Sequence, residues 1–172
     1  AALTFDDGPD PEITPTVLDA LDDAGVKGTF FLRGDRTAAH PALAREIAER
    51  GHLAGNHSHT HQRLFFMDSR DIAREIDDAA RAIGDATGRA PRWFRPPYGW
   101  FGRTCAQVVR ERDLAMTLWT VLAGDYGNDS PDAIVQRTAP FLRPGAIIVF
   151  HDTRDGGGDA LPDIIGGVAE LG

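Results

Sequence analysis

The sequence predicts a parallel α/β fold in a single domain, residues 1–172. Strand-like apolar runs alternate with amphipathic helical patterns over short connections, which is typical of a parallel sheet covered by helices. The 172 residues suit one domain with a sizeable core. A content of 42% hydrophobic and 26% charged residues is that of an ordinary globular protein.

Six short apolar runs are the candidate strands of this sheet. They are Leu3–Phe5, Gly28–Leu32, His52–Gly55, Trp93–Phe94, Ala115–Val121 and Ala146–Phe150. No repeat, linker or low-complexity run separates them, so we expect one sheet in one domain.

The predicted helices lie between these strands. The first has Val17, Leu18 and Leu21 on its apolar face, with a cap at Thr14 and a stop at Gly25. Five further helices follow along the chain. The second is marked by Leu43 and Ile47, and the third by Ile72, Ile76, Ala79 and Ile83 with an end near Gly88. The fourth is marked by Val108 and Val109, the fifth begins at Ser130-Pro131, and the sixth is marked by Ile164, Ile165 and Val168.

Polar residues lie at the end of five of the six predicted strands or shortly after it. They are Asp6 and Asp7, Asn56 and His57, Arg95, Asp125 and His151. Parallel α/β folds place their functional sites at the carboxyl ends of the strands. We therefore expect these side chains to converge on one face of the sheet.

The residue types at this face suggest a metal-assisted hydrolase. Adjacent carboxylates are costly unless a cation or a catalytic task uses them, and Asp6 and Asp7 are adjacent. His57 and His61 share a face in a helical or tightly turned segment, whereas an extended segment would also align His59. One Asp with two His leaves positions open for water and substrate, as in catalytic zinc sites. The alternative is a His-rich surface loop.

Charge and cysteine content exclude several other functions. The net charge is -8, and the chain lacks the clustered Lys and Arg that nucleic acids or anionic membranes require. A neutral polymer or a small neutral substrate fits better. The single cysteine, Cys105, excludes an internal disulfide. No apolar stretch approaches membrane-spanning length, and we expect no membrane partner.

Four sequence blocks together resemble a known family. The blocks are residues 4–9, TFDDGP, residues 51–61, GHLAGNHSHTH, residues 94–99, FRPPYG, and residues 149–152, VFHD. In this order they closely resemble the polysaccharide deacetylases of carbohydrate esterase family 4, which contain the NodB homology domain. The chain opens on a strand and stops in a helical pattern, so we expect a catalytic domain trimmed at both ends.

The resemblance implies a distorted (β/α) barrel of about seven parallel strands that holds a divalent cation. Its ligands on this sequence would be Asp7, His57 and His61. The cation would be Zn²⁺, with Co²⁺, Ni²⁺ or Mn²⁺ as alternatives.

The resemblance also implies an acid–base mechanism. Asp6 matches the general base, Arg95 the arginine that pairs with this base, and His151 the general acid. The backbone N–H of Tyr98 matches a donor to the oxyanion. Substrate contacts are expected from Pro97, Tyr98, Trp100, Tyr126 and Val149, with Val149 in the pocket for the acetyl methyl group.

One block departs from the family pattern. Leu122 stands where the family has an acid that orients the catalytic histidine, and Tyr126 replaces an aromatic wall residue. A leucine cannot accept the imidazole proton. Asp125 could take over this task if the loop bends differently.

These observations predict a metal-dependent enzyme that removes acetyl groups from N-acetylglucosamine residues of chitin, chito-oligosaccharide or peptidoglycan. An acetylxylan esterase would use the same site, and a non-catalytic glycan-binding relative would retain the metal. We expect an acetylated glycan as partner, no nucleic acid, a monomer, and a secreted or cell-envelope location.

Overall fold

A computed structural model of the chain describes residues 1–125, 130–153, 161 and 165–166. Within these residues, seven strands form one parallel sheet with the order β5-β4-β3-β2-β1-β7-β6. The strands are β1 Ala2–Asp6, β2 Thr29–Leu32, β3 Leu53–Asn56, β4 Trp93–Phe94, β5 Ala115–Met116, β6 Val121–Leu122 and β7 Ile147–His151.

In the part of the chain that the structure describes, six helices and three 3₁₀ turns connect the strands. The helices are α1 Thr14–Asp23, α2 Gly34–Ala39, α3 Pro41–Glu49, α4 Ser69–Thr87, α5 Arg103–Arg110 and α6 Pro131–Thr138. The 3₁₀ turns are Leu64–Phe66, Pro97–Gly99 and Ala139–Phe141. Among the described residues, no helix is long and apolar enough to cross a membrane.

The sheet curls into a half-barrel because a short segment joins its two edges. β5 and β6 are the edge strands, and only the residues between Met116 and Val121 connect them. In a flat sheet, six steps between neighbouring strands would separate the edges by about 29 Å. The connecting chain spans at most roughly 18 Å. The edges must therefore approach each other.

This connection also shows where the strand prediction is wrong. The run Ala115–Val121 is not one strand, because its ends pair with β4 and β7 on opposite edges of the sheet. In the middle of the run, the carbonyl oxygens of Thr117 and Leu118 accept hydrogen bonds from the Arg95 guanidinium at 3.3 and 3.2 Å. These carbonyl oxygens therefore bind the Arg95 side chain and do not pair with a neighbouring strand.

The start of α1 differs from the prediction as well. Thr14 is the first helical residue, and no side chain caps the helix at the preceding residue. The Thr14 hydroxyl instead accepts from the Asp10 backbone N–H at 2.8 Å and donates to the Asp152 carboxylate at 2.6 Å. Helix α2 was not predicted separately. The residues proposed for the last helix lie largely outside the described residues.

The register of β1 and β7 separates the core from the site. Phe5 pairs with Phe150 and stacks on Phe30 at 4.8 Å between ring centroids, in the core under the helices. Asp6 pairs with His151. Because side chains alternate along a strand, Asp6 and His151 share the opposite face, at the carboxyl ends of neighbouring strands.

Candidate metal and acid–base site

Asp7, His57 and His61 bring three potential ligand atoms together. The atoms all lie within 4.8 Å of one another. Asp7 Oδ1 is 3.0 Å from His61 Nε2 and 3.6 Å from His57 Nε2. The His57 Nδ1–H donates to the Arg95 carbonyl oxygen at 2.7 Å, so the Nε2 lone pair of His57 points to the group.

The chemistry of this group fits a divalent cation. Asp7 Oδ1 is buried and has no hydrogen-bond donor among the described residues. Burial raises the pKa of Asp7, but the facing His57 and His61 outweigh it together with His151 and Arg33, so the pKa falls below its ordinary value. Burial lowers the pKa of His61 to about 4, which keeps its imidazole neutral. A carboxylate with two imidazoles suits ions such as Zn²⁺.

A tight turn decides which histidines meet. Ser58 and His61 have φ values of 64° and 60°. The Asn56 side chain accepts from the Ser58 N–H at 2.9 Å, and the Ser58 hydroxyl accepts from the His61 N–H at 3.1 Å. The segment is therefore neither helical nor extended. His59 lies outside the ligand group, with its buried Nδ1 close to Gly34.

Glu75 holds this turn from α4, and the sequence reasoning missed it. Its carboxylate accepts from the His59 N–H at 2.9 Å, from the Thr60 N–H at 2.8 Å and from the Thr60 hydroxyl at 2.7 Å. The available signal was a buried carboxylate between Ile72 and Ile76 on the apolar face of the helix. Such a residue needs partners, and here they come from the histidine turn.

Asp6 is paired with a fully buried arginine. Arg95 Nη1 donates to Asp6 Oδ1 at 2.7 Å and to the Thr4 hydroxyl at 2.8 Å. The guanidinium lies 4.1 Å from the centroid of the Phe31 ring. Asp6 Oδ2 lies 3.8 Å from His57 Nε2, beside the ligand group. Thr4 was not predicted, although it shares a face with Asp6 two residues along β1.

His151 is oriented by Asp125 rather than by position 122. The Asp125 carboxylate accepts from the His151 Nδ1–H at 2.8 Å and from its backbone N–H at 2.6 Å. Leu122 lies on β6 with 41% of its surface exposed. Asp125 therefore supplies the acceptor that Leu122 cannot provide. Gly124 has a φ of 69°, which lets the chain bend between Leu122 and Asp125.

The charge of His151 follows from this contact. Burial lowers the pKa of His151, but the hydrogen bond to Asp125 and the charges of Asp125, Asp6 and Asp7 raise it to about 9. The imidazole is thus a cation near neutral pH and can donate a proton from Nε2. A divalent cation beside it would move this pKa down.

Four of the five predicted substrate contacts lie among the described residues. The Tyr98 ring lies 4.7 Å from the His61 ring, and Tyr98 has a φ of 60° in the turn Pro97–Gly99. Val149 and Pro97 are buried, whereas Tyr98 and Trp100 are exposed. Tyr126 lies outside the described residues.

The strands of this curled parallel sheet carry, at their carboxyl ends, one aspartate with two histidines and paired acid–base side chains. This arrangement is typical of metal-dependent hydrolases. The family model described as Polysaccharide deacetylase matches residues 1–117. The chain therefore belongs to the polysaccharide deacetylase family, carbohydrate esterase family 4 (CE4), with its NodB homology.

Two curated relatives illustrate the family. A peptidoglycan-N-acetylglucosamine deacetylase from Bacillus cereus is 35% identical over 168 residues, which are 95% of this chain and 61% of the relative. A chitooligosaccharide deacetylase from Bradyrhizobium sp. is 38% identical over 151 residues, which are 87% of this chain and 69% of the relative. The chain thus spans less than two thirds of the first relative's length and slightly more than two thirds of the second's.

Two solved structures share the fold. The peptidoglycan N-acetylglucosamine deacetylase Bc1960 has a TM-score of 0.94 and 34% identity, over 99% of this chain and 81% of that chain. A CE4 family pseudoenzyme from Bacillus anthracis has a TM-score of 0.92 and 31% identity, over 99% of this chain and 60% of that chain. The fold prediction of a curled parallel α/β sheet is confirmed.

Proposed function

We propose that this chain is a metal-dependent deacetylase that acts on N-acetylglucosamine residues of a glycan such as chitin, chito-oligosaccharide or peptidoglycan. One observation carries the proposal: the Asp7, His57 and His61 group lies beside the Asp6–Arg95 pair, and Asp6 pairs across neighbouring strands with His151, which contacts Asp125. The names of the two curated relatives support the choice of an N-acetylglucosamine substrate.

Asp7, His57 and His61 would hold the cation, most simply Zn²⁺. When bound, it supplies polarisation of an acyl carbonyl and a more acidic water molecule. Asp6 takes a proton from the attacking water through Oδ2, the oxygen beside the ligand group. Arg95 occupies Oδ1, which fixes the carboxylate and favours its charged form.

His151 completes the reaction as the general acid. An amine leaves readily only when it is protonated, and His151 donates this proton to the nitrogen of the acetamide. Asp125 keeps the proton of the imidazole on Nδ1, so that Nε2 faces the substrate. The backbone N–H of Tyr98 stabilises the oxyanion, and Val149 lines the pocket for the acetyl methyl group.

The remaining substrate contacts are Pro97, Trp100 and Tyr126. Because the proposed glycans are cell-wall or extracellular polymers, we infer a secreted or cell-envelope site of action. We also infer that the protein is a monomer and that residues 1–172 form one catalytic domain. An ester needs less help from a general acid than an amide does, so a histidine without an acid partner would favour the acetylxylan esterase. The contact of Asp125 with His151 supports the amide substrate instead.

Acetate release from N-acetylglucosamine oligomers tests the proposal. We expect turnover that a chelator abolishes and that Zn²⁺ or Co²⁺ restores, with faster release from the oligomers than from acetylated xylan. Asp6→Asn should lower turnover by about 10²- to 10⁴-fold and leave metal binding intact. Metal binding and glycan binding without acetate release would instead identify a non-catalytic relative.

A further inference from the structure

A cavity lies at the end of the sheet opposite to the metal group. Its volume is about 770 Å³, and it is lined by residues 52–54 at the start of β3 and by Arg92 and Trp93 at the start of β4. His52 precedes β3 and His57 follows it, so about 16 Å of strand separates this end from the metal group. Binding sites for small organic molecules have volumes in this range.

The cavity exists because β3 and β4 separate at their amino ends. β2 pairs with all four residues of β3, whereas β4 pairs with β3 only through Asn56 and Phe94. The backbone N–H groups of Leu53 and His57 donate to carbonyl oxygens on the β2 side, at 3.1 and 2.9 Å. Backbone groups alternate in direction along a strand, so the N–H and C=O of Ala54 face the β4 side. The cleft between the two strands is therefore open at this end and has a polar backbone edge.

Two arginines give the cavity a positive charge. Arg89 and Arg92 line it, and neither guanidinium has an ion pair or a hydrogen bond with the residues that the structure describes. Glu49 contributes the one carboxylate among the lining residues, so positive charge predominates here although the whole chain has a net charge of -8. A guanidinium binds a carboxylate through two parallel hydrogen bonds. These charges therefore favour an anionic ligand.

The wall of the cavity also contains a hydrogen-bond donor without an acceptor. Nδ1 of His52 accepts from the Gly28 N–H at 3.1 Å, and burial lowers the pKa of His52, so the neutral ring carries its proton on Nε2. Nε2 is buried and has no acceptor in the described part of the chain. A buried donor without an acceptor is unfavourable. An anion in the cavity would reduce this cost, because it is attracted to the positive end of the N–H dipole.

Two large apolar side chains of the cavity are exposed to water. Trp93 is 44% exposed and Leu53 is 56% exposed, and both line the cavity. A ligand that covered them with an apolar surface would gain free energy, and a flat aromatic ring stacks well on an indole. The cavity therefore suits a molecule that joins a flat apolar body to an anionic group.

We propose that this cavity binds a small aromatic carboxylate, at a site separate from the metal group. The arginines bind the carboxylate, and Trp93 and Leu53 contact the ring. This inference goes beyond the proposed function and does not depend on it.

Calorimetry with 2-naphthoate and 2-naphthamide tests the proposal, because the two probes share their rings and differ in charge. The unsubstituted protein should bind 2-naphthoate more tightly than 2-naphthamide. Arg89→Gln and Arg92→Gln should each weaken the binding of 2-naphthoate by about 3- to 10-fold. Arg70→Gln is the matched control and should keep the full affinity. Arg70 is exposed in the first turn of α4, whereas Arg89 follows the last turn of this helix, about 25 Å along its axis.

The affinity for 2-naphthoate should be the same in the Zn²⁺-loaded protein, in the metal-free protein and in Asp7→Asn. Since the measurement needs no turnover, its result holds whether or not the protein releases acetate. Absence of binding, equal affinity for the two probes, or equal affinity in the three arginine variants overturns the proposal. Binding that requires Zn²⁺ also overturns it, because the carboxylate would then lie at the metal group.

Discussion

Replacing Asp125 with Asn tests how His151 obtains its proton. Asn keeps the shape of the side chain, but one of its two contact atoms becomes an amide NH₂. If the amide oxygen still accepts from the His151 backbone N–H, the NH₂ faces Nδ1, which can then no longer carry a proton. The charged imidazole loses its partner, and the pKa of His151 should fall.

The structure gives the size of this effect. The pKa of His151 lies at about 9, against 6.5 for an ordinary histidine, which corresponds to roughly 3.5 kcal/mol at about 1.4 kcal/mol per pH unit. A hydrogen bond to a charged group contributes about 1.5–3 kcal/mol. The loss of the hydrogen bond between Asp125 and the charged His151 should therefore lower turnover by roughly 10- to 100-fold near neutral pH.

The assay is acetate release as a function of pH, with metal affinity measured in parallel. The alkaline limb of the rate profile should move to lower pH by about one unit or more in Asp125→Asn. Metal affinity should stay unchanged, because Asp125 contacts none of the three ligand residues in the described part of the chain. An unchanged rate and an unmoved limb would refute the assignment of Asp125 as the partner of the general acid.

The same contact predicts a pH-dependent stability. The pKa of His151 is raised in the folded protein, so protonated His151 adds to the free energy of unfolding. This contribution is fully present below the unfolded pKa of about 6.5 and is lost as the pH rises through about 9. The metal-free protein shows this window, because a bound cation would lower the pKa. Unfolding of Asp125→Asn should depend less on pH between these values.

Three further predictions concern the Asp6–Arg95 pair, the histidine turn and the proposed metal ligands. Arg95→Met leaves the buried Asp6 carboxylate without a cation and should lower the free energy of unfolding by about 3–5 kcal/mol in a denaturant titration; an unchanged midpoint would exclude the pairing. Glu75→Ala should weaken Co²⁺ binding by about 10- to 100-fold in a chelator competition, and Glu75→Gln should weaken it less, since Gln keeps an acceptor. Excess chelator should lower the thermal midpoint of the protein, because metal at about 100 times its Kd adds about 2.7 kcal/mol of stability, whereas Asp7→Asn should show little difference.

The family and the curled parallel sheet could be predicted from the sequence. Buried parallel strands are short apolar runs, and residues at their carboxyl ends must share one edge, so Asp6, Asp7 and His151 could be placed together before any coordinates. The prediction of a single strand over Ala115–Val121 was wrong because two edge strands and their connection form one apolar run. Its interruption depends on Arg95, a residue about twenty positions earlier in the chain.

The partners of the site residues were harder to predict. Asp125 reaches His151 only because Gly124 bends the chain, and a backbone angle is not visible in residue spacing. Glu75 follows the histidine turn by 15 and 16 residues, so its contacts depend on how α4 packs against β3. Spacing identifies residues that could share a site, whereas their hydrogen-bond partners come from tertiary packing.

The strand order explains how one aspartate could bind the proposed metal while its neighbour serves as the proposed base. β1 lies between β2 and β7, with β3 beyond β2, so the end of β1 is flanked by the histidine turn on one side and His151 on the other. Asp6 keeps strand geometry and faces Arg95 inside the curl. Asp7 has a φ of 76°, which breaks the alternation of the strand and turns its carboxylate to His57 and His61. The left-handed backbone at Asp7 therefore lets the two adjacent carboxylates contact one site from two directions. A substitution that restored strand geometry at position 7 would remove the proposed metal ligand without disturbing the Asp6–Arg95 pair.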